Sequence, residues 1–242
     1  MTDQPHTGGF VDRDLEAIQA RIMKMGGMVE RAITDAARSL ETRDADLAEA
    51  VRLRDAAIDR LETTITGEAT RIIAQRAPTE DDLRLVLTVL RISASLVRIG
   101  DHARNMAVRG PVLTQMTPVD GATAALRRMA REVGAMLKDV LDAYIQRDAD
   151  LARAVIDRDR DVDQMYNAIF REFLTFMMED PRHITPCMHL HVIAKNTERM
   201  GDLVTSVAEQ VVYLVSGEMP DGPRLKEDRT STDPALSQHI QT

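Results

Sequence analysis

An internal repeat is the sequence feature that most constrains the fold of this chain. The hexapeptide RDADLA occurs at residues 43–48 and recurs 104 residues later, at residues 147–152. Further positions match in the same register, and three positions of a later segment match at a shift of 101 residues: Arg98 with Arg199, Gly100 with Gly201, and Asp101 with Asp202. A repeat of this kind predicts two tandem copies of one supersecondary unit.

The periodicity within each copy is helical. Apolar side chains recur at three-to-four-residue spacing in six segments, and Pro and Gly fall between them. This predicts an all-α fold, a tandem repeat of two three-helix bundles at residues 11–110 and 118–216. A linker is expected at 111–117, and disordered ends are expected at 1–10 and 217–242. Thr79 with Asp82 predicts a capping box, and Thr185-Pro186 predicts the N-cap and first residue of the sixth helix.

Composition excludes several functional classes. Aromatic residues make up 3% of the chain and Trp is absent, so Ala, Leu, Val, Ile and Met must build the core. The formal net charge is −8 and there is no basic tract, which argues against nucleic-acid binding. No apolar run is long enough to span a membrane, and no signal peptide is evident. With a single cysteine, Cys187, these features predict a soluble, cytosolic, helix-rich protein.

Acidic side chains recur at helical spacing in both copies. On the sixth predicted helix, Glu198, Asp202 and Glu209 fall on one stripe opposite the apolar residues, which predicts an outward acidic face. The fifth helix adds Asp159 and Asp163, which flank its apolar stripe and should lie near a neighbouring helix. The first copy carries a comparable set: Asp55, Asp59, Glu62 and Asp101. Carboxylate oxygens suit hard cations such as Mg²⁺, Mn²⁺, Ca²⁺ or iron, but a solvated acidic surface explains the same pattern.

Other candidate features are weaker. Cys187, His189 and His191 are spaced two apart, and in a continuous helix such side chains cannot share one ion, although His191 alone could be an auxiliary ligand. Gly100 and Gly201 stand in mid-helix in both copies, where a bulky partner or a ligand could approach the backbone. Gly26-Gly27 suggests a close helix contact. No phosphate-cradling Gly-rich loop or catalytic triad pattern is evident, so no organic cofactor is expected.

The chain resembles the PhoU family of bacterial phosphate-transport regulators. The resemblance rests on residues 198–202 (ERMGD) followed by 208–214 (AEQVVYL), on residues 98–103 (RIGDHA), on the D-x-x-x-D pairs and on the duplicated three-helix layout. It implies a cytoplasmic, homodimeric, non-enzymatic adaptor without membrane insertion. Such an adaptor couples the ATPase of a phosphate ABC transporter to a sensor histidine kinase, and negatively regulates phosphate uptake and the phosphate-starvation response.

The resemblance also implies metal binding (Mg, Mn, Fe or Zn) at paired acidic motifs, carried here by Asp159, Asp163, Glu198 and Asp202 and by Asp55, Asp59 and Asp101. One departure matters: Val97 stands where the family pattern has an acid, and Arg104 lies on the same stripe. We therefore expect the second copy to be the better metal site. Two other functions remain open at this stage, a metal-dependent carboxylate-cluster enzyme and a purely structural helical dimer.

Overall fold

The described residues form six long helices. The structure, a computed structural model, describes residues 8–76 and 78–220. A 3₁₀ turn at Pro181–His183 precedes the last helix. The α-helices are α1 (Gly8–Thr42), α2 (Ala45–Arg76), α3 (Glu80–Leu113), α4 (Ala122–Gln146), α5 (Ala149–Glu179) and α6 (Ile184–Ser216). The prediction of an all-α fold is confirmed.

The helices pack as two three-helix units side by side. Helices α1, α2 and α3 contact one another, while α6 packs against both α4 and α5, which also contact each other. The two units meet where α3 packs on α6 and α1 packs on α4. Four helices, α1, α3, α6 and α4, therefore surround a common core, and α2 and α5 flank it on opposite sides. The predicted tandem repeat is confirmed.

The core follows from the apolar stripes. On α1, residues Ile18, Ile22, Met25, Val29 and Ile33 recur every three to four positions, and none exposes more than 1% of its surface. Fully burying side chains of this size stabilises the fold by about 1.5–3 kcal/mol each. These five side chains place one face of α1 in the core.

The two units share structural details at equivalent positions. The residue after the first helix of each unit, Arg43 or Arg147, adopts the left-handed conformation, with φ of 54° and 53°. Among the ion pairs between the first and second helices of each unit, one lies at equivalent positions in both. Arg54 contacts Asp35 at 2.7 Å, and Arg158 contacts Asp139 at 2.5 Å. The 104-residue register therefore holds through the first two helices of each unit.

Several predicted boundaries differ from the structure. Helix α3 continues through Pro111 to Leu113, so residues 111–113 of the predicted linker are helical. Helix α6 begins at Ile184, and the predicted cap Thr185 lies inside it, because Asp180 accepts a hydrogen bond from the Arg182 N–H and starts a 3₁₀ turn that leads directly into the helix. The capping box of Thr79 is confirmed.

The predicted disordered ends lie mostly outside the described residues. Within the N-terminal range, residues 8–10 belong to α1, so the helix starts earlier than predicted. Residues 217–220 follow α6 without further helix. The rest of both predicted ends, 1–7 and 221–242, is not described.

The glycine pair in α1 does mark a close helix contact, but only through Gly26. A Cβ placed on Gly26 would overlap Cδ1 of Leu141 in α4, whereas a Cβ on Gly27 would have nothing within 4 Å. Leu141 is itself buried. Gly26 therefore lets the α4 side chain pack directly on the α1 backbone at the boundary between the two units.

This difference predicts opposite stability effects for two adjacent substitutions. Gly27→Ala should raise the unfolding free energy by up to about 1 kcal/mol, because alanine is the better helix former. Gly26→Ala gains the same propensity but must displace Leu141, and overpacking costs about 1–3 kcal/mol. Urea unfolding followed by circular dichroism measures both; a Gly26→Ala variant at least as stable as Gly27→Ala would contradict the proposed contact.

Candidate carboxylate sites

Each unit places an aspartate where its second and third helices meet. A Cβ built on Gly100 of α3 would lie 3.5 Å from Oδ1 of Asp55 in α2. In the second unit, a Cβ built on Gly201 of α6 would lie 3.4 Å from Oδ1 of Asp159 in α5. The groups that approach the two mid-helix glycines are therefore a neighbouring helix and its carboxylate.

The prediction of an outward acidic face on α6 is wrong. Glu198 is buried, with 3% of its surface exposed, and Asp202 and Glu209 are half-buried. The helical wheel assumed that α6 has a single buried side. In the structure α6 packs against α3, α4 and α5, so the face that turns away from one neighbour is covered by another.

The second unit buries more of its acidic residues than the first. On α5, Asp159 and Asp163 expose 9% and 3% of their surface, and Glu198 joins them from α6. In the first unit only Asp55 is buried, at 7%. Buried carboxylates are costly unless they are paired or hydrogen-bonded. The acids of the second unit therefore require compensating interactions more strongly than those of the first.

The remaining acids of the first unit lie closer to solvent. Asp59 is exposed, while Glu62 and Asp101 are half-buried. The Glu62 side chain accepts a hydrogen bond from the hydroxyl of Thr66 at 2.9 Å. The acids of α2 follow one another at intervals of about one turn: Asp55, Asp59 and Glu62. Of these three, Asp55 is the buried one, and its carboxylate lies beside Gly100 of α3.

In the first unit, an arginine connects the two helices through their acids. Nε of Arg104 lies 3.3 Å from Oδ2 of Asp55, and Nη2 of Arg104 lies 2.9 Å from Oδ1 of Asp101. Burial raises the pKa of Asp55, the Arg104 guanidinium opposes that rise, and the charges of Asp101 and Asp59 add to it. The positive charge that these carboxylates need is thus supplied by the protein itself.

In the second unit, a lysine takes a comparable place. Nζ of Lys195 lies 2.9 Å from Oε1 of Glu198 and 4.9 Å from the centre of the Tyr166 ring. The ring of His191 packs near Tyr166 and Phe170, with centroid distances of 5.9 Å and 5.1 Å. Sequence reasoning missed Lys195, although its spacing of three residues from Glu198 is a readable signal.

The donor atoms of the second unit have the right chemistry for a hard cation, but their arrangement is not that of a formed metal site. Among residues 8–76 and 78–220, no group of three or more His, Cys, Asp or Glu side chains is placed to hold a metal ion. Glu198 would have to exchange the Lys195 ammonium for a metal. In the first unit, Arg104 stands between the two acids, so that set fits a metal less well.

A contact between the two units was also missed by sequence reasoning. Nδ1 of His102 in α3 lies 2.8 Å from Oδ1 of Asn196 in α6. The amide nitrogen of Asn196 in turn donates to the Val192 carbonyl at 2.8 Å. This pair ties the helices that carry the two acidic sets. Only the packing of α3 on α6 brings the two side chains together, so no local pattern indicated it.

The Cys-x-His-x-His pattern forms no common site. Cys187 is fully buried, and burial raises the pKa of its thiol. Helix α6 is continuous through all three positions, so the side chains of Cys187 and His189 diverge as expected. No helix in the described part of the chain is long and apolar enough to cross a membrane.

Comparisons with known proteins identify the family. The family model described as "PhoU domain" matches residues 22–109 and, separately, residues 126–211. The "Phosphate-specific transport system accessory protein PhoU homolog" of Caulobacter vibrioides is 42% identical over 223 residues, which is 92% of this chain and 97% of that protein.

Solved structures agree with the sequence match. The crystal structure of PhoU from Pseudomonas aeruginosa has a TM-score of 0.83 and 36% identity, covering 86% of this chain and 99% of that one. The phosphate transport system regulatory protein PhoU from Streptococcus pneumoniae has a TM-score of 0.80 and 27% identity, covering 88% of this chain and 100% of that one. The chain belongs to the PhoU family.

The Arg104 contacts predict a pH-dependent loss of stability in Arg104→Gln. Because the guanidinium opposes the rise in the pKa of Asp55, its removal raises that pKa further. A carboxyl whose folded pKa exceeds its unfolded pKa loses stability as the pH rises through that interval. The variant should therefore be destabilised by about 1 kcal/mol near pH 7, and by less near pH 4.

Arg98→Gln is the matched control for this experiment. Arg98 lies on the same helix and is exposed, so its loss should change the unfolding free energy by no more than about 0.5 kcal/mol. Both variants are unfolded with urea in the presence of a chelator, so that metal ions do not contribute. A destabilisation in Arg104→Gln that is equal at the two pH values would show that Asp55 does not depend on Arg104.

Proposed function

We propose that this chain is a non-enzymatic regulator of phosphate homeostasis. In the cytoplasm it would link the ATPase of a phosphate ABC transporter to a sensor histidine kinase, and it would negatively regulate phosphate uptake and the phosphate-starvation response. The observation that carries this proposal is the match of both units to the PhoU domain, together with a relative named as an accessory protein of a phosphate-specific transport system over nearly its whole length.

The surface of the two units supports a role in binding other proteins. Near the start of α3, Leu83 and Leu87 expose 36% and 42% of their surface. The equivalent positions of α6, at the 101-residue shift, are Ile184 and Met188, exposed by 47% and 50%. Each unit thus presents a pair of apolar side chains one turn apart, a spacing that suits contact with a partner helix.

The adaptor function predicts phosphate-dependent co-purification. The full chain is immobilised and exposed to the transporter ATPase and the kinase of its own host, with phosphate at low and at high concentration. We expect both proteins to be retained at high phosphate. We expect weaker retention when Leu87→Asp and Met188→Asp are combined, because charges at exposed apolar positions disfavour a helix–helix contact. The exposed pair Arg98→Asp and Arg128→Asp is the control.

Three outcomes of this experiment count against the proposal. Retention of neither partner at either phosphate concentration would overturn the adaptor function and favour a purely structural helical dimer. Equal loss in the control would show that the apolar pairs are not the contact. Turnover of a substrate that disappears in Glu198→Ala, without loss of partner binding, would favour a metal-dependent enzyme instead.

We also propose that the second unit binds a metal ion through its acids. Asp159, Asp163, Glu198 and Asp202 would supply oxygen ligands, with Glu209 further along the helix, and a bound cation would compensate the buried negative charge. The burial of Asp159 and Asp163 on α5 and of Glu198 on α6, two helices that contact each other, supports this proposal. The first unit would bind more weakly, because Arg104 already supplies positive charge there and Val97 replaces an acid.

This proposal predicts a hierarchy in Mn²⁺ titration calorimetry. Glu198→Gln should weaken binding at least about tenfold, because removing a carboxylate ligand lowers the charge of the site. Lys195→Gln should strengthen binding, because the metal no longer competes with the ammonium. Asp101→Asn, in the first unit, is the control and should have little effect. A larger loss in Asp101→Asn than in Glu198→Gln would overturn the ranking of the two units.

The last part of the proposal concerns the oligomeric state of the chain. We propose a homodimer, which sedimentation equilibrium of the purified chain tests directly. A monomer at micromolar concentration would remove this part of the proposal without affecting the adaptor or metal experiments, since each of those is measured by its own readout.

A further inference from the structure

A groove with basic walls runs along the contact between α1 and α4, away from the acidic sets. It has a volume of about 540 Å³, within the range of about 300–1,000 Å³ that is usual for small-molecule sites. Small residues form much of its lining, including Ala37 of α1 and Ala130, Gly134 and Ala135 of α4. A Cβ built on Gly134 would have nothing within 4 Å, so the centre of the groove is open.

Cationic side chains outnumber anionic ones on the walls of this groove. Arg38 of α1 and Arg127, Arg131 and Lys138 of α4 line it, against two acids, Glu30 and Glu41. Because the chain as a whole has a net charge of −8, this excess of positive charge is local. It attracts anions to one place on an otherwise acidic protein.

Two of these arginines, Arg38 and Arg131, lie at the same level of the groove, one on each wall. The ion pair of Arg127 with Glu41, and the packing of Leu141 on Gly26, show that α1 and α4 run antiparallel. One turn before Glu41 on α1 is Arg38, and one turn after Arg127 on α4 is Arg131. These two guanidinium groups therefore extend into the same section of the groove from opposite walls.

Three of the four cations have no side-chain partner in the described part of the chain. Arg127 is held by Glu41. Among residues 8–76 and 78–220, the side chains of Arg38, Arg131 and Lys138 make no ion pair within 4.0 Å and no hydrogen bond, and Arg38 and Arg131 are exposed. Their positive charges are thus available to a ligand.

The internal repeat provides a comparison within the same molecule. At the 104-residue shift, the equivalents of Arg38, Arg127 and Arg131 are Asp142, Met23 and Gly27. The equivalent place along the α1–α4 contact therefore lacks these cations, and there Leu141 packs onto Gly26. The pairing of Arg38 with Arg131 is therefore not a by-product of the duplicated fold, because Asp142 and Gly27 stand at the equivalent positions.

From this geometry we infer that the α1–α4 groove binds a small molecule that carries a phosphate group, gripped between Arg38 and Arg131. Guanidinium groups match phosphate oxygens with paired, charge-assisted hydrogen bonds. Lys138 lies two turns from Arg131 on α4 and adds a point charge further along the groove. The concave shape of the groove favours a small anion. A flat anionic membrane would be contacted better by cationic side chains on a convex surface.

The test is calorimetric titration of the full-length chain with inorganic phosphate, pyrophosphate and ATP, each in excess chelator. The chelator prevents a metal at the acidic sets from bridging to phosphate, so the outcome is independent of the proposed metal site. We expect saturable binding of at least one of the three, and the three arms distinguish free phosphate from an organic phosphate. Removing both guanidinium groups with Arg38→Gln and Arg131→Gln should weaken that binding at least about tenfold.

A charge-matched control separates a site from general attraction. Arg98→Gln with Arg128→Gln removes two exposed positive charges outside the groove, and binding should stay within about twofold of the unchanged protein. Circular dichroism and the unfolding midpoint verify that both double variants are folded. Equal weakening in the two double variants, or no binding of any of the three ligands, would overturn the inference. Binding only to vesicles that contain anionic lipid would also overturn it.

Discussion

The close approach of neighbouring helices at Gly100 and Gly201 is the constraint on which the rest of the structure depends. At each glycine the missing side chain lets the second helix of the unit rest on the third, and it carries an aspartate into the contact. A carboxylate held there loses much of its hydration, which is unfavourable unless positive charge is nearby. The close helix contact at each glycine therefore requires positive charge near the buried aspartate, and the cationic residue that contacts the acidic set differs between the two units.

The first unit uses an arginine that contacts acids on both of its helices, and it has a valine where the other unit has Glu198. The second unit keeps that glutamate, buries two further aspartates and places a single lysine beside the glutamate. The second unit therefore buries three carboxylates of its acidic set, where the first unit buries one. The two units thus share an aspartate beside the mid-helix glycine and differ in the other buried carboxylates and in the cation that contacts them.

Much of the fold followed from local pattern. The recurrence of RDADLA, the Arg-x-Gly-Asp turns and the apolar spacing were sufficient for six helices in two units, because each helix buries a periodic stripe. Boundaries were less accurate at residues 111–113, where α3 continues past Pro111, and at Thr185, where a 3₁₀ turn leads directly into α6. Neither of these helix limits can be read from the spacing of apolar residues.

The sequence indicated which acidic residues form the candidate sites, but it did not indicate how deeply they are buried or which side chains they contact. Two of the acids named from the sequence, Asp55 and Asp159, lie at helix contacts. Glu198 was placed on the wrong side, because a helical wheel shows one helix and cannot show how many neighbours surround it. The contact of Lys195 with the Tyr166 ring and the contact of His102 with Asn196 also depend on how the helices pack.

The asymmetry of the α1–α4 contact has a further consequence. A molecule built from two similar halves would present the same outline after a half-turn, but the arginines at one end remove that equivalence. The electrostatic potential therefore differs between the two ends of the molecule, and a charged ligand is attracted to them unequally.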